Sequence, residues 1–178
     1  MRIVCLAILV QVALLASVAQ AGRTVVGVVR GVYDGDTILM ATREDSRLKV
    51  RLYGIDAPET GKRNKPGQPY GDSSRRMLMY KVMGRRVVAE IMDTDRYGRT
   101  VAVIRVDGRD VNREMVEGGM AWAYLRYLEE PYESLYCESE ATARARNRGL
   151  WRDPHPVPPW EFRDRGLKMN GKNHSGTR

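Results

Sequence analysis

Residues 48–60, LKVRLYGIDAPET, hold the stretch on which the fold of this chain turns. Leu48, Val50 and Leu52 alternate with Lys49, Arg51 and Tyr53, the period of a β-strand with one apolar and one polar face. Directly behind that strand, Asp56 and Glu59 flank the stiff step Ala57-Pro58. Two carboxylates therefore stand at a strand exit, a few residues from a strand arginine. A solvated strand face and an acid-capped helical turn would account for each part separately.

On either side of this stretch, alternating and β-branched runs over 24–32, 37–42, 87–92 and 100–106 predict four more strands. Asp34-Gly35, residues 44–47 and Tyr97-Gly98 supply the turns. A basic loop over 61–71, with Lys62, Arg63 and Lys65, leads to a helix that Asp72 or Ser73 caps and Gly84 ends. Its Leu78, Met79, Val82 and Met83 fall at helical spacing. A second helix starts at Asp110 and stops at Gly118-Gly119; a third covers 131–148, with Pro131 in its first turn and Gly149 as its stop. The pattern predicts an α+β domain, a five-stranded OB-type β-barrel with three packed helices.

The domain expected from this pattern spans 22–152. Ahead of it, Arg2, an apolar run over 3–16 and Ala19-Gln20-Ala21 have the order of a secretory signal peptide over 1–21, too short for a membrane-spanning helix. Behind it, 153–178 is Pro-rich and then basic, with Trp151 and Trp160 expected to dock and residues past 165 expected to be disordered. An exported or periplasmic monomer with no membrane contact after cleavage is the expectation. Cys5 falls in the leader, which leaves Cys137 without an intramolecular disulfide partner, so the core must hold the fold.

The 178 residues carry a formal net charge of +8, which favours a polyanion partner: nucleic acid, anionic lipid or acidic polysaccharide. The two histidines, His155 between prolines and His174 in the tail, are poorly placed for an ordered imidazole, and no Cys/His zinc spacing exists. Carboxylates, arginines and a hard metal are what remain for chemistry. They concentrate in YDGDT (33–37), RLYGIDAPET (51–60) and DRYGRT (95–100), all at strand ends, where a barrel can bring them to one mouth. Taken singly, each is an ordinary turn.

With DGDT, RLYGIDAPET, DRYGR and VNREMVEGGMAW (111–122) in this order, the chain from about 25 to 151 resembles the thermonuclease family, the secreted calcium-dependent nucleases of the staphylococcal type. The resemblance implies an OB-type barrel that hydrolyses DNA and RNA to products ending in 3′-phosphate. It implies that Asp36 and Asp56 bind Ca2+ together with the backbone carbonyl of Ala57, which stands where the family often has threonine. Glu59 matches the proposed general base, Arg51 and Arg99 the phosphate-binding arginines, and Asp34 an acid supporting the metal site. Arg96, in place of a lysine, and Tyr97 resemble a nucleotide-contacting pair, with Tyr124 and Tyr127 approximating substrate-side tyrosines.

The same residues make chemical sense alone. Two adjacent aspartates repel each other unless a cation lies between them, and oxygen donors select a hard one such as calcium. A guanidinium grips two phosphate oxygens at once. Lys62, Arg63, Lys65, Arg75, Arg76, Arg85 and Arg86 supply a general field for a polynucleotide. A non-catalytic OB-fold nucleic-acid-binding protein is the alternative; it has no need of acids that repel its ligand. A basic envelope protein explains charge and export but not the paired acids.

Overall fold

The computed structural model describes residues 23–165 apart from 45 and 64. The expected leader over 1–21 and the stretch beyond 165 lie outside the described residues.

Strand β1 (Thr24–Asp34) pairs with β2 (Thr37–Thr42) on one side and β5 (Arg86–Thr94) on the other. Register shifts between Val29 and Gly31 and between Val32 and Asp34 bend it, so one long strand turns a barrel corner. Gly27 makes the close approach possible: a Cβ there would sit 2.4 Å from the carbonyl oxygen of Ala41. β2 pairs with β3 (Arg47–Leu52), and β5 with β6 (Thr100–Val106). The barrel closes where β3 meets β6 in parallel, through Val50↔Thr100, Arg51↔Val101 and Leu52↔Ala102. β1, β2, β3, β5 and β6 are the five barrel strands; β4 (Ile55–Asp56) pairs with β8 (Trp122–Ala123), and β7 (Arg109–Asp110) edges β6.

The alternation read from 48–52 decides which side chains go inside. Val50 and Leu52 are buried in the core with Ile38, Met40 and Ile104, while Arg51 points to the other face. Burying each such aliphatic side chain contributes roughly 1.5 to 3 kcal/mol.

Helix α1 (Gly71–Val82) covers the barrel with Leu78 and Val82 and is tied to the 118–121 turn by the Ser74 hydroxyl, which donates to the Met120 carbonyl at 2.6 Å. Neither Asp72 nor Ser73 caps it. The helix starts from Tyr70, which adopts a left-handed conformation (φ 68°) without a capping side-chain bond. The reason lies next to it, since a Cβ at Gly71 would be 2.2 Å from the carbonyl oxygen of Glu59. The helix start is thus set by close packing on the acidic loop rather than by cap preference.

Helix α2 (Val111–Glu117) begins as expected, with the Asp110 side chain accepting from the Arg113 amide at 2.9 Å. Buried Asn112 ties this helix to the barrel by accepting from the Ile104 amide and donating to the carbonyls of Tyr53 and Ala102. Helix α3 (Tyr132–Ala145) ends earlier than Gly149, through Asn147 at φ 47°. It buries Tyr136, Ser139 and Ala143. A second apolar cluster forms from Trp122, Ala143, Leu150 and Trp151, and Trp160 packs on it. The backbone is helical again over 159–165. Among the described residues, no helix is long and apolar enough to cross a membrane.

Candidate active site

The acids arrive from two turns that press on one another. Asp34 and Asp36 flank Gly35 between β1 and β2, and a Cβ on Gly35 would lie 1.8 Å from the Ser74 hydroxyl and 2.7 Å from the Ala57 Cβ. Only a residue without a side chain lets α1 and the Ala57-Pro58 step close over this turn. Asp36 is fixed by the Thr37 hydroxyl (2.8 Å) and the Ala57 amide (3.2 Å), both donating to its carboxylate. The Asp36 amide donates to Asp34 at 3.3 Å. Asp56 is anchored by the β4–β8 pairing, opposite Trp122.

Arg51, opposite Thr37 in the β2–β3 register, joins the two turns. Its Nη1 lies 3.0 Å from Oδ2 of Asp36 and its Nη2 donates to Oδ1 of Asp56 at 2.8 Å. The Asp56 side chain is 0% exposed and that of Arg51 20%. Glu59 stands at the rim, its amide accepted by the Gln68 side chain and its carbonyl accepting from the Gln68 amide. Gln68 in turn donates to the Val157 carbonyl.

A second guanidinium completes the cluster. Arg163 donates through Nη2 to Oδ2 of Asp56 (2.7 Å) and through Nη1 to Oδ1 of Asp56 (3.1 Å) and Oε1 of Glu59 (2.8 Å). Nothing in the sequence pattern singles it out: it lies 107 residues from Asp56, past a proline-rich stretch without periodicity. Trp160, a large aromatic among polar residues and prolines, is the one available signal.

Electrostatics mark a shortage of positive charge. Burial, then repulsion from Asp36, pushes Asp34 up to about 7. Asp36 is also buried, but the pull of Arg51 and hydrogen bonds from its neighbours outweigh that and hold it below the usual carboxylate range. Burial raises Asp56, and nearby Asp36 adds to the rise against the opposing arginines. Four acids thus face two arginines, and the Asp56 carboxyl, 0% exposed, is held above the usual carboxylate range. Oxygen donors with uncompensated negative charge fit a hard divalent cation. Asp36, Asp56 and the Ala57 carbonyl are the residues that would hold it. Among the described residues, no ready-made group of three acidic, histidine or cysteine ligands exists, and Arg51 and Arg163 are the cations that lie on these carboxylates.

Asp34, Asp36, Arg51, Asp56, Ala57 and Glu59 are therefore brought together. Arg99 is held apart from them: its Nε donates to Oδ2 of Asp95 at 2.6 Å, and its guanidinium lies 5.6 Å from the Tyr97 ring centroid. Arg96 lies 4.8 Å from the same centroid and donates to the Tyr97 hydroxyl. Arg99 nevertheless precedes β6 two residues before Val101, the partner of Arg51, so both arginines sit at the barrel seam. Tyr124 and Tyr127 pack together at 5.7 Å, and Tyr124 meets Trp160 at 5.3 Å. They form an aromatic shelf beside β8 rather than part of the carboxylate cluster. A polar cleft of about 250 Å³, lined by Tyr33, Asp34, Lys49, Lys62, Asp72 and Arg75 among others, adjoins the acids.

Residues 49–153 match the family model described as Staphylococcal nuclease homologue. A Haemophilus influenzae protein named Uncharacterized endonuclease is 38% identical over 137 residues, covering 77% of this chain and 71% of its own. Protein ParB of Escherichia coli is 40% identical over 146 residues (77% of this chain, 78% of its own). Micrococcal nuclease of Shigella flexneri is 36% identical over 146 residues, covering 77% and 79%.

Proposed function

This chain belongs to the staphylococcal nuclease family and is a nuclease hydrolase, and from that premise we propose that it is an exported, calcium-dependent enzyme that cuts DNA and RNA with little sequence preference, leaving 3′-phosphate ends. The observation that carries this is Arg51 bridging buried Asp36 and Asp56, with Glu59 on the rim of the same cluster.

Asp36, Asp56 and the Ala57 carbonyl would hold the cation, with Asp34 accepting from the Asp36 amide behind them. The bound ion supplies Lewis-acid polarisation of the phosphate and helps orient water. Glu59 takes a proton from that water as its oxygen bonds to phosphorus. The bond from phosphorus to the 5′-oxygen breaks, the leaving oxygen takes a proton from solvent water, and phosphate stays on the 3′-oxygen. Arg51 holds the charge that builds on the non-bridging oxygens, joined by Arg99 once it leaves Asp95, a task for planar forks rather than point charges. Arg96 with Tyr97, and Tyr124 with Tyr127, meet the flanking nucleotides.

The deciding experiment incubates purified protein with single-stranded DNA and with RNA, in calcium chloride and in excess chelator, and identifies product ends. Cleavage to 3′-phosphate ends that stops with chelator is expected. Cleavage indifferent to chelator overturns the metal assignment, and 5′-phosphate products overturn the direction of scission. Export is tested separately, by fractionating cells that express the full chain.

A further inference from the structure

We propose that Arg163 is an intramolecular plug, a guanidinium delivered by residues 157–163 that competes with the cation for Asp56 and Glu59. The contact uses both Nη atoms and both oxygens of Asp56. A calcium ion binds carboxylate oxygens at about 2.3 to 2.6 Å through the same lone pairs. While both Asp56 oxygens face the guanidinium, that carboxylate is not free to take a cation. Glu59, bonded to Nη1, is equally occupied.

The segment that carries the plug is seated at a second point. Over the helical turn at 159–165, Trp160 and Arg163 are three residues apart and share a face. Trp160 lies 5.7 Å from Trp122 and 5.3 Å from Tyr124, on the aromatic shelf, while Arg163 enters the acidic cluster. Gln68 holds the Val157 carbonyl, and the Phe162 amide donates to the Pro158 carbonyl. One short segment therefore covers a carboxylate meant for a cation and a tyrosine suited to stack on a base. Water reaches one side of the contact: the Arg163 side chain is 39% exposed, although its partner Asp56 is buried.

The plug rests on the cation-site reading above, and two measurements separate their fates. Calcium chloride is titrated calorimetrically, without nucleic acid, into the wild type, Arg163→Ala and Arg165→Ala. Arg165 pairs with Glu161 outside the cluster, so its loss removes the same charge without opening the site. Affinity is expected to rise at least about fivefold in Arg163→Ala, the factor by which a closed plug raises the apparent Kd, and to match wild type in Arg165→Ala. Equal affinities for the two variants overturn the plug. So does a loss of turnover in Arg163→Ala at saturating calcium without a gain in affinity, which would make Arg163 a phosphate-gripping group. Hydrogen exchange over 157–165 is the second measurement, with faster exchange expected in Arg163→Ala and in wild type with calcium. Should no variant bind calcium, the cation reading falls, and exchange decides alone: unchanged protection in Arg163→Ala overturns the docking.

Discussion

Nη2 of Arg51 donates to Oδ1 of Asp56 at 2.8 Å across a turn that passes through Gly54 at φ 70°. A Cβ at Gly54 would strike the Leu128 side chain at 2.3 Å, so the turn that folds the acid back onto its arginine is packed as well as left-handed. Arg51→Lys keeps the charge but not the fork between Asp36 and Asp56. Turnover on single-stranded DNA is expected to fall at least about 10²-fold, near 3 kcal/mol of barrier, as for other lost transition-state donors. Steady-state kinetics beside a thermal melt check it; near-normal turnover in a folded variant removes Arg51 from the phosphate.

Glu59 has its backbone fixed by Gln68, and its side chain, paired here with Arg163, must leave that guanidinium to act. Glu59→Ala should keep the fold and nucleic-acid affinity while turnover drops about 10² to 10⁴-fold, the usual worth of a positioned base. Fluorescence anisotropy with a labelled oligonucleotide separates binding from cutting. Full activity in this variant would exclude the role.

Asn112 satisfies one amide and two carbonyls that link β6, the exit of β3 and α2. Asn112→Leu fills a similar volume but takes away the side-chain partner of the Ile104 amide and the Tyr53 carbonyl, while the Ala102 carbonyl keeps the Tyr53 amide. A loss of about 2 to 4 kcal/mol is expected in urea unfolding, given the desolvation cost of buried unpaired groups. A shift under about 0.5 kcal/mol, the size of an ordinary surface change, would mean that water reaches these groups.

Glu90 is held below its ordinary value of 4.5, first by the hydrogen bond from Arg105. The lowered folded value means that the unfolded chain binds the proton first as pH falls. The pair's contribution is thus complete above about 4.5 and is lost as pH drops through the folded value. Both side chains are about 30% exposed, so the effect should be roughly 0.5 to 1 kcal/mol. Glu90→Gln should flatten the acid limb of a stability–pH curve below that point; an unchanged limb would assign it to other carboxylates.

The barrel strands were legible where their pattern is local. Strands over 37–42 and 100–106 have the limits read from alternation, and 48–52 placed Val50 and Leu52 inside and Arg51 outside. The gathering of the acids at 34, 36, 56 and 59 was legible too, because each pair stands at a strand end and the β2–β3 pairing brings the two ends together. The start of α1 was not: Asp72 and Ser73 have the right chemistry for a cap, but contact between Gly71 and the Glu59 carbonyl moved the boundary to Tyr70. Arg163 was invisible for a different reason. Its partners are more than a hundred residues away, and no periodicity connects an arginine after a proline run to an aspartate after a strand.

Barrel closure has its own outcome for heat tolerance. β1–β2 and β5–β6 each align six residue pairs, whereas the parallel seam of β3 and β6 aligns three, one of them Arg51↔Val101. Parallel ladders are also slightly weaker per residue. On warming, the junction should unzip at this point first, letting the arginine drift from its acids while the remaining strands still hold. Inactivation would then precede melting, with the gap in temperature set by three residue pairs.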